Sequence, residues 1–274
     1  MSAVFTVCGL AALAFAAAIT LFLCLSGIPA IREIGFFKFI LGKVWNPTGA
    51  EPAYGILPFI LSSVYGTLGA VVLGVPMGIL CAAYMAKAAP RPIAAALSEA
   101  VNLLSGIPSV VYGLVGMIVL VPAVRNVFGL PDGASLFAAI LVLAIMILPS
   151  VISVSETAIK AVPREYEEGS LALGATRNET IFRVILPASK SGIFASAGLG
   201  TGRAIGEAMA VMMVSGNVSN MPKLFKSVRF LTTAVASEMS YSSGLQRQAL
   251  FSVALVLFVF ILIINIILNA LKKR

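Results

Sequence analysis

Residues 3–27 carry no charged side chain at all. A helix needs about 20 consecutive apolar residues to cross a bilayer. Five more apolar stretches follow, at about 55–86, 96–122, 135–158, 188–216 and 248–270. Backbone polar groups must be satisfied inside each segment at membrane depth, which leaves helices as the fitting element. Only 11% of the 274 residues are charged, against roughly 25% in a soluble domain. The expectation is an all-α integral membrane protein with six transmembrane helices. These spans use most of the chain, so 1–274 reads as a single domain.

Residues 1–27 are not a typical signal peptide. No positive n-region precedes the apolar run, and the run is too long for an h-region. It reads as a retained first span. The formal net charge of +8 is spread over loops and ends, a membrane-topology pattern rather than a nucleic-acid footprint. With both termini inside, the inner regions (87–93, 159–190, 272–274) hold ten Lys/Arg and the outer ones (28–53, 123–134, 217–247) eight. That bias is small; the terminal Lys272-Lys273-Arg274 cluster and the basic turn at 87–92 favour it. Cys8, Cys24 and Cys81 lie inside apolar runs and read as small hydrophobes. The chain has no histidine, so it lacks the commonest general base and transition-metal ligand.

The segment 163–187 is the polar exception. Pro163 suits a helix start, with Glu165, Glu167 and Glu168 in the opening turns, where acids favour the helix dipole. Gly174 marks a stop. Thr176 and Glu179 match a capping box that opens a second short helix. Pro187 suits the start of the fifth span. Two short helices joined at Gly174-Ala175 are expected, too polar to enter lipid. They either lie on the membrane surface or dock on a cytoplasmic partner. A surface-lying helix is usually basic, so these acids favour docking.

Several polar groups fall inside the apolar runs. Arg203 and Glu207 are four apart, on one face of the expected fifth helix. A central arginine costs roughly 2.5–3.5 kcal/mol on insertion scales, and such residues face a bundle interior or water. One reading is mutual neutralisation. The other is an anion pathway, in which the guanidinium fork meets a tetrahedral oxyanion and Glu207 keeps it oriented. Glu99 lies early in the third span, either lining the path or pairing with Lys87 or Arg91. Ser105, Gly106 and Ser109 flank Pro108, where freed backbone groups either meet a passing anion or mark a local distortion. Gly198, Gly202 and Gly206 form a stripe that reads as close helix packing. No G-K-[ST] follows it, so a nucleotide loop does not fit.

These residues also carry a resemblance. Glu168-Gly-Ser-x3-Gly174-x9-Val184-x-Leu186-Pro187 resembles the E-A-A-x3-G-x9-I-x-L-P motif of permeases of binding-protein-dependent ABC importers. Gly169, Ser170 and Val184 depart from it. The resemblance implies a type I, MetI-like fold. It also implies coupling helices that sit in a groove of an ATPase, with Glu168, Gly174, Ala175, Thr176, Leu186 and Pro187 at the coupling site. Ser105-Gly-Ile-Pro-Ser-Val-Val-Tyr-Gly113 and Gly202-Arg-Ala-Ile-Gly-Glu207-Ala-Met-Ala-Val are similar to the permeases of phosphate-specific importers, of the PstC type. The likeness spans roughly 55–270.

The implied partners are a PstA-type second permease, a PstB-type ATPase dimer, a PstS-type phosphate-binding protein, phosphate itself and membrane lipid. ATP and Mg would belong to the ATPase, with no cofactor on this chain. The implied location is the bacterial inner membrane. The implied function is a transport subunit and not an enzyme. Rival readings are an ion-coupled anion carrier or channel, a scaffold without transport, and a permease for another oxyanion such as phosphonate.

Overall fold

In the computed structural model, residues 2–272 are described. Lys273 and Arg274 of the terminal basic cluster lie outside them. Helix α1 (Ser2–Ile34) is followed at Gly35 by the short α2 (Phe36–Leu41) and a two-stranded hairpin, β1 (Trp45–Asn46) against β2 (Ala53–Tyr54). Helix α3 (Leu57–Ala83) runs on through a π-helical turn, Tyr84–Ala88. Then come α4 (Arg91–Gly106), α5 (Ser109–Val115), a second π turn (Gly116–Leu120) and α6 (Val121–Phe128). Helix α7 spans Leu136–Lys160. The polar insert holds α8 (Arg164–Ala172), α9 (Arg177–Thr180), a third π turn (Ile181–Ile185) and α10 (Leu186–Ala188). Helices α11 (Lys190–Gly206), α12 (Met209–Val214), α13 (Leu231–Glu238) and α14 (Gly244–Lys272) complete the chain.

Among the described residues, five helices are long and apolar enough to cross a membrane: Val4–Ile34, Leu57–Ala88, Ser109–Phe128, Leu136–Lys160 and Gly244–Ile267. The expected fifth crossing, 188–216, is interrupted. Helix α11 ends at Gly206, Glu207 is extended, and α12 starts at Met209. The third crossing also differs from the expected 96–122. Pro108 drives the residue before it out of the helical region, and Ile107 has ψ 126°. The run therefore splits into α4 and a crossing at Ser109–Phe128.

Helix α7 is the hub. Of its most apolar stretch 61% is buried, against none of α1's. Its Leu136, Leu143, Ile147 and Val151 form one core with Ala70 of α3, Ala204 of α11 and Val211 and Val214 of α12. Contact with α3 is close because glycines remove side chains there: a Cβ at Gly74 would meet Ile147 at 2.8 Å, and one at Gly78 would meet Val151 at 2.7 Å. Helix α1 sits at the rim on α14, where Ser252 Oγ donates to the Gly27 carbonyl at 2.6 Å.

The loops sort into two ends. At one end Trp45 Nε1 and Gln246 Nε2 donate to the Glu238 carboxylate. Arg229 pairs with Glu238 and donates to the Asn217 carbonyl. Ser227 Oγ donates to the Ala134 carbonyl, and Phe128, Phe137 and Phe225 cluster. The three regions expected outside thus meet one another. At the other end Lys87 reaches Glu167.

Candidate functional site

Arg203 lies in the last turn of α11, whose residues after Lys190 are otherwise apolar or small. It is half-buried. Its Nη1 donates to Ser150 Oγ on α7 at 3.1 Å. The expected pairing with Glu207 does not form. Among the described residues the ion pairs are Lys87–Glu167, Lys160–Glu156 and Arg229–Glu238. The reason is the break in the helix: facing at i and i+4 holds only while the helix continues, and it stops at Gly206. Glu207 instead precedes the Ala208 N-cap of α12 and reaches into that helix's first turn. Its carboxylate accepts from the Ala210 N–H at 3.0 Å, and its carbonyl accepts from Thr232 Oγ1 at 2.8 Å. Both mutual neutralisation and orientation of Arg203 by Glu207 are therefore corrected. The guanidinium keeps one neutral side-chain partner and spare donors.

Tyr112, on α5, stands within electrostatic reach of Arg203. Its hydroxyl donates to the Leu104 carbonyl at 2.7 Å, across the α4–α5 break. The kink that carries Ser105, Gly106 and Ser109 is therefore tied to α5. Ser105 and Gly106 are exposed and Ser109 is half-buried. Helix α5 lies close on α12, because a Cβ at Gly113 would meet the Ala210 Cα at 2.7 Å. The two broken crossings thus pack side by side. Glu99 is exposed on α4, and no ion pair joins it to Lys87 or Arg91 among the described residues. Gly202 and Gly206 do not pack within the chain either: a Cβ at either would meet nothing within 4 Å. Their stripe is an open face beside Arg203. Gly192 and Gly200, outside the stripe, are the close approaches of α11 to α7, against Ala158 and Val151.

The polar insert folds as two braced helices. Gly174 takes φ +86°, a left-handed turn that glycine adopts without strain. The capping box forms in full, with Thr176 and Glu179 satisfying each other's backbone N–H groups. Those bonds hold the Glu179 carboxyl below the usual carboxylate range, and Arg183 adds to the effect. Ser170 and Thr180 share a hydrogen bond of 2.9 Å, which ties α8 to α9. Leu173, at the tip, is 91% exposed. Glu168, Lys87, Arg164, Glu167, Leu171 and Arg177 line a cleft of about 380 Å³. Sequence reasoning missed Ser150, Tyr112 and Lys87. Serine and tyrosine are common in apolar helices, and Lys87 read as a topology charge.

Residues 74–274 match the family described as binding-protein-dependent transport system inner membrane component. The chain belongs to that family. It is 37% identical over 274 residues to the probable ABC transporter permease protein YqgH of Bacillus subtilis (strain 168), covering 98% of this chain and 89% of that protein. It is 34% identical to the phosphate transport system permease protein PstC of Haemophilus influenzae, covering 89% and 82%. It is also 34% identical to PstC of Pasteurella multocida, covering 81% and 75%. Among solved structures, inward-facing MetNI methionine ABC transporter matches with a TM-score of 0.59 at 20% identity, covering 80% of this chain and 93% of that one. An amino acid ABC transporter gives 0.56 at 21%, covering 80% and 92%. The fold is thus that of ABC importer permeases. The chain is a multi-pass inner-membrane transport subunit, not an enzyme, in a family that works with a second permease, an ATPase and a binding protein.

Proposed function

We propose that this chain forms half of the translocation pathway of an ATP-driven importer of inorganic phosphate. The observation that carries this reading is Arg203, a half-buried guanidinium in an apolar crossing with Ser150 as its hydrogen-bond partner. An uncompensated positive charge at such depth is costly. A passing phosphate relieves that cost for as long as it stays. The fork of donors suits a tetrahedral oxyanion, and Ser150 holds the fork in place without cancelling its charge. Tyr112, Ser105, Gly106 and Ser109 border the path at the neighbouring break. Glu207 shapes the path by bonding the first turn of α12, and Glu99 stands further along α4. The relatives named for phosphate transport support the choice of cargo.

In this reading a PstA-type permease supplies the other half and covers the open Gly202–Gly206 face. A PstS-type protein delivers phosphate. A PstB-type ATPase dimer holds ATP and Mg, with no cofactor on this chain. Helices α8 and α9 dock on that ATPase through Leu173, Glu168 and the Gly174-Ala175-Thr176 turn, while Leu186 and Pro187 lead into the fifth crossing. Both termini are cytoplasmic.

The test is phosphate uptake by the assembled complex carrying Arg203→Gln. Uptake should fall at least tenfold, as loss of a charged partner of about 1.5–3 kcal/mol requires, while the ATPase still co-purifies. Full uptake by that variant would sink the proposal. Unlabelled phosphonate that displaces labelled phosphate more strongly than phosphate itself would redirect it to another oxyanion.

A further inference from the structure

The coupling segment joins the membrane helices covalently at both ends, to α7 through residues 161–163 and to α10 and α11 through the π turn Ile181–Ile185. Ile181 and Ile185 also pack with Ala82, Ala83 and Met85 at the end of α3. The polar bonds from α8 and α9 to that end of α3 run through Lys87. Its Nζ binds Glu167 Oε2 of α8 at 2.7 Å, with the two side chains 13% and 25% exposed. That degree of burial leaves the pair less screened than a surface one. The Lys87 carbonyl accepts from the guanidinium of Arg177 on α9. That carbonyl is free because the helix ends here: the chain turns extended at Ala89, and Pro90 and Pro92 have no N–H to offer. One residue therefore takes a bond from each docking helix, by side chain from α8 and by backbone from α9. Among the described residues, this is the ion pair that joins the insert to another part of the bundle.

What lies behind Lys87 gives the contact its consequence. It closes the π turn of α3, and α3 packs on α7 through Gly74 against Ile147 and Gly78 against Val151. Ser150, the partner of Arg203, stands between those two contact points on α7. The insert itself is braced by the Ser170–Thr180 bond and the capping box.

We propose that Lys87 is a positioning residue that passes displacement of the coupling segment to α3, and through the α3–α7 contact to the Ser150–Arg203 pair. The proposal rests on the reading of 163–187 as the ATPase-docking segment. It adds to that reading an output through α3, beside the covalent ones through α7 and α11.

The experiment uses the assembled complex in vesicles, with Lys87→Gln, Glu167→Gln and the exchange Lys87→Glu with Glu167→Lys. Each is assayed for bound ATPase, ATP hydrolysed and phosphate imported. Both single variants should keep the ATPase and lose about fivefold in phosphate imported per ATP, and the exchange should restore the ratio to within about twofold of the parent. A second readout needs no phosphate. In a Cys8→Ser, Cys24→Ser background, Cys81 on α3 reports by maleimide labelling. ATP with vanadate should change its labelling rate in the parent and not in Lys87→Gln. An unchanged import ratio together with parent-like Cys81 labelling overturns the proposal. So does loss of the ATPase from the Lys87→Gln complex, which would make Lys87 a docking residue. If the parent itself imports no phosphate, the cargo reading fails and the Cys81 result still decides this one. If the parent binds no ATPase, the docking reading beneath it fails.

Discussion

Arg203 and Glu207 show how residue chemistry and residue geometry separate. That an arginine within an apolar crossing needs company was legible from the sequence. Which company was not, because the i, i+4 rule presumes a helix that ends here at Gly206. Glu207 accepts from a first-turn N–H of α12, so Glu207→Ala should destabilise that helix by about 1 kcal/mol, one lost hydrogen bond, seen as a lower thermal midpoint of the detergent-solubilised chain. Glu207→Gln keeps an accepting oxygen and should lose less. The capping box at Thr176 was legible in full, since its two partners are three residues apart. Thr176→Ala should speed amide exchange in α9 about fivefold, the equivalent of one lost cap of about 1 kcal/mol. The pH dependence has a definite sign. The Glu179 carboxyl is held below its ordinary value in the fold, so its contribution is present above the usual carboxylate range of about 4.3 and is lost as pH falls through the lowered value. Exchange protection of α9 should hold at neutral pH and fall only on acidification past that range. Protection that falls between pH 8 and 6 would contradict the assignment.

Among elements, the long uninterrupted crossings were readable and the interrupted ones were not. Helix α7 matches the expected span within two residues at either end, because composition and helix coincide there. At Ile107-Pro108 and at Glu207 the surrounding residues stay mostly apolar while the backbone turns extended, and hydropathy does not register a change of ψ. The packing of the two broken crossings hinges on Gly113, a position that spacing arguments passed over for the Gly198–Gly206 stripe. Gly113→Val should cost about 1–3 kcal/mol by overpacking against Ala210 and Met213. Gly106→Ala, with nothing within 4 Å, should leave the thermal midpoint unchanged. The docking reading adds a test at this scale: Leu173→Asp should abolish co-purification of the ATPase without lowering that midpoint.

Across the whole molecule, the alternation of loops between two ends was legible from span count alone. The bond that secures one of those ends was not, since it joins Trp45, Asn217, Arg229, Glu238 and Gln246 across almost 200 positions. Arg229→Met leaves Glu238 with neutral donors only and should cost about 1.5–3 kcal/mol, read as earlier proteolysis of the 217–246 segment. The opposite end carries a different liability. Leu173 projects almost wholly into water, with Tyr166 and Phe182 also exposed nearby. Apolar surface of that kind attracts whatever can cover it. On the docking reading proposed above, a copy made ahead of its motor would display a greasy flag to chaperones and proteases until the motor captures it. Subunit stoichiometry would then be enforced by disposal of the surplus, with no need for matched synthesis.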